Sequence, residues 1–220
     1  MAARAIPHSG RARPRGHVHM GVRRGPAPSA LLVYGALSLL TLGIAFVRDN
    51  SPIETEAWLS ILPLWSRHVL SAAGGGALAV GTVRATRLFV GRWGWAKSLH
   101  SDLRPVVRDA GDGTIFVVGL ASGVAEELFF RGLLTPLLGL ALSSVAFGAL
   151  HQLRGRAGWF WTAWAAIMGL LFGALFLVTG SLVGPILAHV AINIVNLRFL
   201  RDTDVEPRPV RELGGLLGRG

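Results

Sequence analysis

Residues 125–132 read Ala-Glu-Glu-Leu-Phe-Phe-Arg-Gly, and from 114 to 150 the only charged side chains are Glu126, Glu127 and Arg131. On insertion scales a charged residue at the centre of a membrane helix costs roughly 2.5–3.5 kcal/mol. Carboxylates kept at that cost face a bundle interior or a wet cavity and act there. Two more pairs lie in apolar surroundings, Phe147 with His151 and His189 with Asn193, each four apart and so on one helix face. A carboxylate and an imidazole can together hold and deprotonate a water, burial being what brings a carboxyl group into a general base's range. A second imidazole with a carboxamide supplies donors for the oxyanion of a tetrahedral intermediate. That set suits amide hydrolysis without a covalent nucleophile. Alternatively, two imidazoles and a carboxylate are a familiar zinc set, although no His-Glu-x-x-His helix is present. With no cysteine in the chain, thiolate ligands, a cysteine nucleophile and a disulfide framework are excluded.

Glu127 and Arg131 are four apart with the acid first, the favourable helical order, so Arg131 can neutralise Glu127. Adjacent helical residues point about 100° apart, so the same cation serves Glu126 poorly and Glu126 needs another partner.

The elements that must position these groups are membrane helices. The 220 residues are 51% hydrophobic and only 15% charged, against about 25% charged in a soluble domain. The formal net charge is +10, but the basic residues lie between apolar runs, the pattern of cytoplasmic loops rather than of a nucleic-acid surface. Residues 1–26 form an Arg-, Pro- and Gly-rich basic arm expected to be disordered, in which Met20 is an alternative start to Met1. The first span is Ala27–Val47, with no small-residue cleavage site before a soluble domain, so it reads as an anchor and not as a signal peptide. A loop follows at 48–66. A second span over about 69–90 is rich in small residues that suit close packing. Residues 92–112 form a basic, Trp-containing segment that suits an interfacial helix.

The 37 uncharged-or-paired residues of 114–150 and the 38 of 159–196 are each long enough for a two-helix hairpin. The second has an obvious turn at Thr179-Gly180-Ser181. The expectation is an all-α polytopic bundle of about six transmembrane helices over 27–200, with a mid-membrane polar cavity, a core at about 114–197 and a disordered tail at 201–220. With both termini on the cytoplasmic side, 19 of the 22 Lys and Arg fall on that side. Depth decides whether the polar pieces meet. At about 1.5 Å per residue, Glu126 lies roughly 18 Å from a helix start at Thr114. A turn at Gly132 would leave His151 at the cytoplasmic edge; a turn at 136–139 puts Glu126 and His151 level. From Gly180, His189 and Asn193 fall roughly 13–20 Å into the core, the same layer. The fourth helix is then expected to continue past His151 towards Arg154.

Glu126-Glu127-x-x-x-Arg131, Phe147-x-x-x-His151 and His189-x-x-x-Asn193, in this order, resemble the CPBP family of intramembrane proteases, which includes the CAAX prenyl endopeptidases and bacterial Abi-type immunity proteins. The resemblance covers about 114–197. It implies that Glu126 activates a water with His151, that His189 and Asn193 stabilise the oxyanion, and that Glu127, Arg131 and Phe147 support the site. It implies an intramembrane endopeptidase acting on a membrane-associated or lipid-modified protein or peptide near its C-terminus, in the lipid bilayer of a bacterial cytoplasmic membrane. Family members were named as metalloproteases, and a zinc or other divalent metal would use Glu126, His151 and His189; a metal-free mechanism also fits, and Asn193 would make an unusual ligand set.

Three other readings use the same residues. A transporter or proton relay would bind an ion at Glu126, His151 and His189. A serine protease would need Ser122, yet Gly119-Leu120-Ala121-Ser122-Gly123 lacks the Gly-x-Ser spacing of such enzymes. An immunity-type scaffold would keep the fold without turnover.

Overall fold

The structure, a computed structural model, describes residues 27–205. The basic arm at 1–26, with the start at Met20, and residues 206–220 of the expected tail lie outside the described residues. Among the described residues there are seven α-helices: α1 (Ala27–Val47), α2 (Leu64–Arg92), α3 (Gly94–Val107), α4 (Asp112–Glu127), α5 (Thr135–Leu150), α6 (Arg156–Thr179) and α7 (Val183–Asp202). A π-helical segment, Leu128–Leu134, joins α4 to α5. Among the described residues the nearest thing to a strand is an isolated bridge between Glu54 and Ser181.

Among the described residues four helical runs are long and apolar enough to cross a membrane, fewer than the six expected: Pro28–Val47, Asp112–Leu150, Arg156–Thr179 and Val183–Asp202. The difference has two sources. Helix α2 has the length, but Arg67, Arg84, Arg87 and Arg92 dilute its apolar character. The run Asp112–Leu150 is continuous as helix yet doubles back. Within it Gly139 has φ 79° and ψ 167°, a conformation that is essentially glycine's alone. Ser143 donates a hydrogen bond to the Phe130 carbonyl at 3.0 Å and lies 3.1 Å from the Thr135 hydroxyl. Residues 130 and 143 would stand about 20 Å apart in a straight helix, so the chain reverses at Gly139, inside the expected turn.

The fourth long helix does not continue towards Arg154. It ends at Leu150, with His151 at φ −92° and ψ 10° closing its last turn. Helices α5 and α6 pack antiparallel and are joined by a short link, which forces an early stop. Gly155 takes φ 89°, and the Leu153 carbonyl lies directly against Gly158 of α6.

Small residues set the closest helix contacts. On α2 the buried residues Ser71, Gly75, Ala79 and Thr82 make one stripe, and Ser71 accepts from the Gly184 N–H of α7 at 2.9 Å. On α4, a Cβ at Gly119 or Gly123 would stand 2.7 Å from the Ile194 or Val190 side chain. These two glycines let α7 lie almost backbone to backbone on α4, as in small-xxx-small membrane packing. Helix α3 bridges the ends of α2, α6 and α7.

Candidate active site

The hairpin that reverses at Gly139 makes Glu126 on α4 and His151 at the end of α5 equidistant from the turn. Glu126 Oε2 stands 3.6 Å from His151 Nε2 and 3.8 Å from His189 Nε2. His189 arrives from α7, carried in by the close α4–α7 contact at Gly119 and Gly123. One helical turn further along α7, Asn193 donates from Nδ2 to the Ser122 hydroxyl at 2.9 Å, and Ser122 donates in turn to the Gly119 carbonyl. All four side chains, with Ser122, line a cavity of about 390 Å³. Its remaining walls are mostly apolar, with α2, α3 and α6 supplying Phe89, Leu103 and Trp164 among others. The expected common layer is therefore present as geometry.

Glu127 faces away from the cavity and is wholly buried. Its Oε1 accepts from Arg131 Nη1 at 2.9 Å and from His189 Nδ1 at 2.7 Å. Arg131, 1% exposed, also reaches the Gly169 carbonyl on α6 at 3.4 Å and lies over the Phe147 ring at 4.4 Å. The pair is thus more than mutual neutralisation, because the same carboxylate orients an imidazole of the cavity. Phe147 also carries the His151 ring at 4.4 Å between centroids and meets Phe130 edge-on.

Hydrogen bonding fixes both imidazole tautomers. The Phe147 carbonyl can only accept, so the His151 Nδ1 lying 2.7 Å away carries a proton. The Glu127 carboxylate, paired with Arg131, likewise accepts a hydrogen bond from His189 Nδ1–H. In a neutral ring the Nε2 atom is then a lone-pair site, and both Nε2 atoms face Glu126. Among the described residues, Glu126 Oε2 is a buried oxygen with no hydrogen-bond partner. Three acceptors around one point call for a shared proton or a water that donates to them, and separations of 3.6–3.8 Å suit a bridging water.

Hydrogen bonds from the far ring nitrogen to a carbonyl or carboxylate also accompany metal-bound histidines. Among the described residues no group of three or more His, Cys, Asp or Glu side chains is arranged as a metal site.

Several participants were not singled out by type and spacing. Phe172 and Gly169 of α6 contact His189 and Arg131, and Trp161 meets the His151 ring edge-on at 6.2 Å. Ser122, weighed as a nucleophile, instead holds Asn193. Tyr34 of α1, the chain's only tyrosine, lines the same cavity. The spacing of Gly119 and Gly123 is the one signal in the sequence that could have placed α7 on α4.

Comparison with known proteins bears on the same stretch. Residues 113–195 match the family model described as type II CAAX prenyl endopeptidase Rce1-like. The uncharacterized protein YpbD of Bacillus subtilis (strain 168) is 35% identical over 81 residues, which is 37% of this chain and 42% of that protein. The chain therefore spans less than half the length of this curated relative. No solved structure matches. The stretch that resembles the Rce1-like type II CAAX prenyl endopeptidases, 113–195, is the one that holds Glu126, Glu127, Arg131, Phe147, His151, His189 and Asn193.

Proposed function

We propose that this integral membrane protein is an intramembrane endopeptidase that hydrolyses a peptide bond near the C-terminus of a membrane-associated or prenylated peptide. The observation that carries this reading is the unpartnered Glu126 Oε2 set between two imidazole Nε2 atoms beside a largely apolar cavity. An apolar wall suits a lipid-modified or membrane-borne substrate, and the matched family's description names a prenyl endopeptidase. The partners are that substrate and the bilayer, with no nucleic acid. The basic-residue bias supports cytoplasmic termini in a bacterial cytoplasmic membrane.

Charge balance sets the resting state. Glu126, Glu127 and Arg131 together leave one negative charge in an apolar interior, which favours one proton shared among Glu126, His151 and His189. With that proton on His189 Nε2, the imidazolium sits against Glu127 and presents a donor to the cavity. A water between Glu126 Oε2 and His151 Nε2 gives a proton to Glu126 as its oxygen attacks the scissile carbonyl carbon. The oxyanion accepts from His189 Nε2 and from the second Asn193 Nδ2 proton, the first being held by Ser122. Glu126 passes its proton to the amide nitrogen, the C–N bond breaks, and an amine and a carboxyl group leave. General base catalysis of this kind supplies about 10²–10⁴-fold and an oxyanion donor about 10²–10³-fold. Every step uses only this chain's own side chains and the attacking water.

The test is cleavage of a farnesylated fluorogenic peptide by the protein in liposomes. Glu126→Gln is expected to abolish turnover and retain peptide binding, and His151→Ala to reduce turnover at least a hundredfold. An active Glu126→Gln variant would overturn the assignment. So would a wild type that cleaves neither this peptide nor its unprenylated form but moves protons across the liposome membrane, which is the relay reading.

A further inference from the structure

Helix α1 lies outside the stretch that matches the prenyl endopeptidases, and it is the most lipid-exposed of the long helices. It docks on α4 and the π-helical segment by one face. Thr41 and Ala45 are the buried positions of that face, and Tyr34 continues the stripe two turns earlier. Ala45 shares an outer pocket with Gly132 and Leu133, while Tyr34 shares the catalytic cavity with Glu126. The two helices therefore run parallel, and the register of α1 brings its one hydroxyl-bearing aromatic to the carboxylate. The Tyr34 hydroxyl stands beside the Glu126 side chain in that cavity.

We propose that Tyr34 is a positioning residue of the active site: its hydroxyl donates to the Glu126 carboxylate and holds it with Oε2 turned to the imidazoles of His151 and His189. A carboxylate on a helix flanked by apolar residues has rotamer freedom that its neighbours on α4 do not remove. Arg131 is committed to Glu127, and the two imidazoles stand beyond direct hydrogen-bond reach of Glu126. Tyr34 is the donor that remains. A phenol is suited to the place, since it gives one directional O–H from an otherwise apolar ring that belongs at a helix–lipid boundary. Through this bond α1 is part of the catalytic assembly and not only an anchor.

The kinetic arm of the test rests on the hydrolytic function proposed above; the spectroscopic arm does not. Because the chain has one tyrosine, growth on 3-fluorotyrosine gives the full-length protein a single ¹⁹F resonance. In nanodiscs that resonance is expected to move on Glu126→Gln and to stay in place on Leu39→Ala, a lipid-facing residue of α1. Tyr34→Phe keeps the ring and its packing. It is expected to lower kcat on the farnesylated peptide by about ten- to a hundredfold, the range of a lost hydrogen bond to a charged group, with KM and unfolding midpoint little changed. A resonance indifferent to Glu126→Gln overturns the contact. A Tyr34→Phe protein with wild-type kcat overturns the positioning role even if the resonance moves. A protein that cleaves no peptide while the resonance still responds removes the hydrolytic reading and leaves the contact standing.

Discussion

Glu127→Gln separates two roles that one carboxylate holds. Glu127 is wholly buried and accepts from Arg131 at 2.9 Å and His189 at 2.7 Å. Gln keeps the shape and one acceptor oxygen but leaves the Arg131 guanidinium without a counter-charge. Breaking a buried pair from one side costs about 3–5 kcal/mol. The Phe147 and Phe172 rings, 4.4 and 5.4 Å from the guanidinium, do not lower that figure, because they already face it in the wild type. The Gly169 carbonyl at 3.4 Å is likewise in place already. The single variant is therefore expected to lose about 3–5 kcal/mol in reversible unfolding in mixed micelles. Glu127→Gln with Arg131→Met removes both charges and fills the volume with a flexible apolar chain, a replacement that is often neutral. Its stability is expected to return to within about 1 kcal/mol of wild type. Turnover is not expected to return, because no negative charge then stands behind the His189 imidazole. The lost charge-assisted bond corresponds to roughly a ten- to hundredfold deficit in kcat. Both are read on one preparation, stability by unfolding and turnover on the farnesylated peptide in liposomes. A single variant as stable as wild type, or a double variant with full turnover, would refute this reasoning and reduce Glu127 to a counter-ion for Arg131.

Gly139→Ala is expected to cost about 1–3 kcal/mol, since φ 79° with ψ 167° is strained for any residue with a Cβ. Turnover should fall with stability, as the reversal at Gly139 sets the level of Glu126 against His151. Ser122→Ala is expected to slow turnover only about two- to tenfold, the worth of one neutral hydrogen bond to Asn193; complete loss would instead support a serine nucleophile. Treatment with phenanthroline and EDTA is expected to leave turnover largely unchanged, and a loss restored by zinc would overturn the metal-free mechanism.

What spacing carried, and what it did not, follows from the geometry of a helix in a membrane. Depth is a matter of counting residues from a turn, so the shared level of Glu126 and His151 could be read from the position of the 136–139 turn alone. Azimuth is different: which way a helix faces depends on the neighbour it meets, and that is settled by contacts far apart in the chain. The bond between Glu127 and His189 spans 62 residues, and only the packing of Gly119 and Gly123 against α7 makes it possible. The two adjacent glutamates were visibly unequal, yet Arg131 was the only partner that local spacing could offer Glu127. The end of α5 escaped for a related reason. No breaker stands between His151 and Arg154; the stop is imposed by antiparallel packing on α6, with Gly155 absorbing the turn. Tyr34 was hidden most completely, because a lone tyrosine in an apolar span has the composition of an interfacial belt residue. Only the parallel docking of α1 on α4 turns it from lipid towards Glu126. The catalytic candidates were thus legible wherever a charge or an imidazole had no reason to be in lipid, whereas the groups that aim them are ordinary membrane residues whose role exists only in the assembled bundle.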